Sequence, residues 1–147
     1  MSRAIAILLF VVLGAVALLH AYWALGGLWP GKDEADLVRH VIGEPRRTRM
    51  PPVWITWGVV AAILVAAVWP LFAAGLVAPP VPSALVLGVA ALIGVVFLLR
   101  GVAGYTPAWR RGHAAEPFAR RDRRLFSPLC LLLAAGYGAL VVSGGIA

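Results

Sequence analysis

AIAILLFVVLGAVALLHAYWAL, residues 4–25, is the stretch on which the fold turns. Its 22 residues hold no Asp, Glu, Lys or Arg. At 1.5 Å per residue they would make a helix of about 33 Å, enough for the ~30 Å hydrocarbon core of a bilayer. Three further runs have the same character: residues 53–77 after Pro51-Pro52, residues 83–99 (the shortest), and residues 127–146. A chain of 147 residues has room for one domain. Of these residues 62% are apolar and 13% charged, where a soluble domain has roughly a quarter charged. Mean hydropathy is +0.92. No soluble core could absorb so much apolar surface, so lipid is part of the solvent.

Local signals sharpen the spans. Ser127 reads as an N-cap and Pro128 as a first-turn proline, which needs no N–H there. Pro70 lies inside the second run and predicts a kink or an early exit. Trp54, Trp57 and Trp69 fall near the two ends of that run, as interfacial aromatics do. Arg3 ahead of an apolar run has the look of a signal peptide, but the length of the run and Tyr22-Trp23 at its end fit a retained helix better.

The link 78–82 is short and proline-rich, which predicts a tight antiparallel hairpin of spans two and three. The other two links, 26–52 and 100–126, hold 12 of the 13 Lys and Arg. With four spans they share one face. The positive-inside rule makes that face cytoplasmic and puts both termini outside. Net charge is +7, but its confinement to these loops speaks for an anionic membrane surface and against nucleic acid.

Each long loop is expected to carry a short amphipathic helix lying at the interface. In Asp33 to Ile42, Leu37, Val38, Val41 and Ile42 share one side, and Gly43 supplies a stop. In Pro117 to Phe126, the apolar side holds Phe118, Ala119, Leu125 and Phe126, while Arg120, Arg121, Arg123 and Arg124 fan around the rest. A weak repeat is also visible. Leu18-Leu19-His20 echoes Leu98-Leu99-Arg100, and Glu44-Pro45 echoes Glu116-Pro117, as a span–loop–span duplication would give.

Five residues are candidates for a ligand site. His20 lies inside the end of span one, where an ionisable group usually faces a polar cavity. It is either a proton-handling imidazole or a neutral ring bonded to a helix carbonyl. Arg100 ends span three as an anion clamp or as a snorkelling arginine. Gly101 and Gly104 beside Tyr105 let a backbone approach a ligand, or simply end a helix. Asp122 falls in the middle of an apolar stripe, so it needs a partner: Arg100 in a structural pair, or His20. Glu116 caps the short helix or joins the same cluster. His40 and His113 read as solvated loop residues.

Several chemistries lack their residues. The single cysteine, Cys130, excludes an intramolecular disulfide and fits a small packed side chain. Three histidines without ligand spacing imply neither a metal nor a haem site, and no cofactor is indicated. There is no Ser/His/Asp order, no phosphate-binding glycine loop, and no acid at mid-bilayer depth.

The strings HAYWALGG (20–27), LLRGVAGY (98–105) and EPFARRDRRLFSPLC (116–130) together resemble a family of short bacterial four-span membrane proteins known only as a domain of unknown function. The resemblance covers essentially the whole chain. It implies a bacterial inner (plasma) membrane setting and supplies no activity.

The expected fold is an all-α four-helix transmembrane bundle with two short amphipathic interfacial helices in its long loops. Ala62, Ala66, Gly88, Ala135 and Ala139 would permit close helix approach. The leading functional expectation is a binding or accessory protein holding a small anionic or lipid-like ligand, or a partner subunit, at the cytoplasmic face. Its rivals are a membrane enzyme with His20 as acid/base on a lipid or quinone-like substrate, and a small homo-oligomeric transporter.

Overall fold

The computed structural model describes residues 1–144, whose regular elements are all helices, with no strand among them. The order is α1 (Ser2–Ala24), α2 (Glu34–Val41), α3 (Val53–Ala73), α4 (Ser83–Ala103), α5 (Pro107–Gly112), α6 (Phe118–Arg121), a π-helical segment (Asp122–Phe126) and α7 (Ser127–Gly144). Four helices are long and apolar enough to cross a membrane: α1, α3, α4 and the continuous stretch Phe118–Gly144. Only 22–28% of each span's most apolar window is buried within the chain. The remaining apolar surface is outward, as lipid-facing helices require.

The packing is by pairs. α1 lies along α3, and α4 along α7, while contacts between the two pairs are far fewer. The tight hairpin expected of spans two and three is therefore a short link between helices that touch little. The glycines explain the preference. A Cβ on Gly94 would stand 3.0 Å from the Tyr137 Cβ, and one on Gly101 would stand 2.7 Å from a Leu131 methyl, so bare backbone is what lets α4 and α7 meet. Of the small residues expected to serve, Ala66 is in the core, Ala139 is half-buried, and Ala62, Gly88 and Ala135 are exposed. The core itself gathers Ala6, Leu9 and Leu13 of α1, Ala66 and Ala67 of α3, Ala90 of α4, and Leu133, Tyr137 and Leu140 of α7.

Pro70 sits inside α3 and cannot donate to the carbonyl of Ala66, four residues earlier. The hydroxyl of the fully buried Tyr137 on α7 donates to that carbonyl instead. An orphan acceptor in an apolar core is thereby satisfied from the neighbouring helix. Trp69, near the end of α3, is half-buried, and its indole Nε1–H donates to Val86 O on α4 at 2.9 Å. These two bonds join the helix pairs on the side away from the long loops.

Boundaries depart from expectation where glycine or proline acts tertiarily. α3 stops at Ala73, not near 77, because Gly75 turns the chain at φ +64° and Leu76 N–H bonds back to Leu71 O at 2.9 Å. α4 continues to Ala103, past 99, with Gly101 serving close packing and not termination. Ser127 is no helix start. The chain is already helical from Phe118, and the segment before Ser127 widens to a π-turn, with Ser127 N–H bonding Asp122 O. Pro128 has no N–H for Arg124 O and crowds it, so a wider turn at this point relieves the helix. The second loop helix is thus the leading end of the fourth span. Residues 145 and 146, included in the expected fourth span, lie outside the described residues.

Candidate functional site

The two long loops meet on one face. Asp33 caps α2 by accepting from Asp36 N–H at 2.8 Å, and the helix, which touches α6, buries Leu37 and Val38. Gly43, at φ +77°, ends it with its backbone against the Phe118 ring. Ala115 N–H donates to Gly43 O at 3.0 Å, and Arg39 reaches Glu116 O at 3.5 Å. The second loop opens with an unexpected helix: Thr106 accepts from Trp109 N–H at 3.3 Å and Pro107 takes the first turn of α5.

That turn delivers Trp109 to a charged pair beneath it. The Arg100 guanidinium donates to Asp122 Oδ1 at 2.6 Å and reaches Ser127 Oγ at 3.5 Å. Trp109 Nε1–H donates to the other carboxylate oxygen, Oδ2, at 2.9 Å. The guanidinium carbon also lies 4.4 Å from the centre of the Trp109 ring. Asp122 is 2% exposed, so both of its oxygens are satisfied inside the protein. Gly104 backs directly onto Ser127 Oγ and Asp122, which leaves no room there for a side chain. His113 stacks on Trp109 with ring centres 3.9 Å apart, and its Nδ1–H donates to Trp109 O at 3.0 Å.

Above the pair opens a cavity of about 200 Å³ lined by Trp109, Arg110, His113, Glu116, Asp122 and Arg123 among others. Arg100 and Asp122 neutralise one another. Arg123 spends its Nε–H on Ala119 O at 3.2 Å and keeps the rest of its guanidinium, and Arg110 joins no ion pair among the described residues.

The five sequence candidates fare differently. Arg100 and Asp122 form the structural pair, and Glu116 both caps α6, accepting from Arg120 N–H at 3.3 Å, and lines the cavity. Tyr105 stands at the edge, its hydroxyl donating to Arg123 O at 3.2 Å. His20 is elsewhere: its Nδ1–H donates to Val16 O of its own helix at 2.8 Å and its ring meets Trp23 edge-on at 4.9 Å. It makes no hydrogen bond to the other four among the described residues, so the His20–Asp122 pairing is not formed. Tyr22 and Trp23 hold the first loop, for both hydrogen-bond to the Trp29 backbone. Trp109, His113 and Ser127 were not among the candidates. The signal for Trp109 was Thr106-Pro107, a helix start that would aim a loop tryptophan inward.

A family model described as a protein of unknown function (DUF3995) matches residues 13–137. The chain belongs to this family. All the residues of the DUF3995 cluster just described, from Arg100 to Ser127, and the four spans in whole or large part lie within the matched stretch. No curated protein and no solved structure matches the chain.

Proposed function

We propose that this chain is a membrane-integral binding or accessory protein of a bacterial plasma membrane that holds a small anionic or lipid-like molecule at its basic face, with that face in the cytoplasm. The observation that carries the reading is the cavity of about 200 Å³ at the ends of α4 and of the fourth span. Two arginines that join no ion pair among the described residues line it over a pair that is already neutral. The cluster beneath it serves as a floor: Arg100 is committed to Asp122, Trp109 and Ser127, so it orders the site and leaves anion binding to Arg110 and Arg123. Acid–base chemistry by His20 draws no support from this arrangement.

Native mass spectrometry of the mildly solubilised chain tests the proposal. A bound molecule present on the wild type and lost from Arg110→Ala/Arg123→Ala supports it. Identical adducts on both proteins would remove the cavity from the function and turn attention to a partner subunit.

A further inference from the structure

The charges lining the cavity are not those of a simple anion site. Once Asp122 is subtracted with Arg100, three charged groups remain: Arg110, Arg123 and the Glu116 carboxylate. A bare phosphate or carboxylate would be attracted by the first two and repelled by the third. A molecule carrying both signs would be matched at each. The neutral groups point the same way. His113 donates from Nδ1 to Trp109 O, so in its neutral form Nε2 carries a lone pair and accepts. Glu116 uses Oε2 to cap α6, which leaves Oε1 for a ligand. The site therefore combines two guanidinium forks, suited to a phosphate, with two acceptors suited to an N–H donor.

The cation should be a primary amine. A quaternary ammonium has no N–H to give these acceptors and is instead recognised by open aromatic faces. Here the Trp109 ring is already covered by Arg100 and by the stacked His113.

Resting on the binding role proposed above, we infer that the cavity takes the phosphoethanolamine headgroup of a membrane lipid, with the phosphate on Arg110 and Arg123 and the ammonium on Glu116 and His113. The full chain in vesicles containing equal parts of phosphatidylethanolamine, phosphatidylcholine and phosphatidylglycerol provides the test, with the retained lipid read by native mass spectrometry after mild extraction. The wild type should keep the ethanolamine lipid over both others. Glu116→Gln, whose amide oxygen can still cap α6, should lower ethanolamine-lipid retention roughly tenfold and leave the glycerol lipid unchanged or raised. Arg110→Ala/Arg123→Ala should lose both. The wild-type preference needs no variant to fold, and circular dichroism checks the variants.

Retention of phosphatidylcholine alongside phosphatidylethanolamine, or of phosphatidylglycerol above it, overturns the headgroup assignment while leaving an anion-binding cavity in place. Lipid retention indifferent to the two arginines overturns the cavity itself. Free phosphoethanolamine added to delipidated protein separates the sources. A mass shift with the lipid alone assigns the bilayer as supplier, and an equal shift with the free compound overturns the lipid half of the inference.

Discussion

Asp122 has one carboxylate oxygen on a guanidinium and the other on an indole, at 2.6 and 2.9 Å, and almost no contact with solvent. Removing it strands Arg100, whose side chain is 29% exposed, over an aromatic ring. We expect Asp122→Ala to cost about 3 kcal/mol, the low end for breaking a buried pair because Arg100 keeps some access to solvent. Adding Arg100→Met should recover much of that loss, since the stranded charge goes with it. Unfolding in a denaturing-detergent titration from mild micelles reads both. A single variant as stable as the wild type would mean that the pair is an ornament. The inward aim of Asp122 was legible in the sequence, because arginines on either side of it left one apolar stripe and the acid fell within it. Its second partner was not, since Trp109 reaches it from a separate six-residue helix too short to leave a periodic pattern.

Among elements, α3 and α7 depend on each other through one bond. Ala66 O lacks its helical donor because residue 70 is proline, and Tyr137 supplies the missing one. Tyr137→Phe should therefore destabilise the bundle by about 1 kcal/mol, the usual scale of an interhelical hydrogen bond in a membrane. In a Pro70→Ala background, where residue 70 regains its N–H, the same change should cost close to nothing. A double-mutant cycle measured by unfolding gives the coupling, and equal costs in both backgrounds would dissolve it. The spans were readable because length and apolarity alone specify them. Their ends were less so: Gly101, Ser127 and Pro128 all look like punctuation in one dimension, yet Gly101 serves packing and the other two lie inside a continuous helix. Which helices pair was not readable either, because glycines such as Gly94 select neighbours only once a partner side chain is known.

At the scale of the whole molecule, the paired packing of α1 with α3 and of α4 with α7 has the span–loop–span form suggested by the weak repeat. The echo is positional and not chemical. His20 bonds within its own helix, whereas Arg100 reaches across to Asp122. Both loops meet on one side through Gly43, Ala115 and Phe118, and together they hold 12 of the 13 Lys and Arg. A reporter fused to the C-terminus should accordingly be active outside the cytoplasm and one inserted after Pro45 inside it. The reverse pattern would invert the orientation and put the cavity on the other leaflet.

The π-turn at Asp122–Phe126 has a further consequence, one of angular phase. An α-helix advances 100° per residue, so the one residue by which a π-turn exceeds an α-turn offsets everything before it by about that angle relative to α7. Deleting any single residue from 122 to 126 would remove the extra residue of the wide turn and swing Phe118 off Gly43, where the two loops touch. Loss of a side chain there removes one contact, whereas loss of a residue re-aims the whole leading end of the span. Apart from Asp122, whose carboxylate holds Arg100 and Trp109, this stretch of the chain should therefore tolerate substitution far better than it tolerates a change in length.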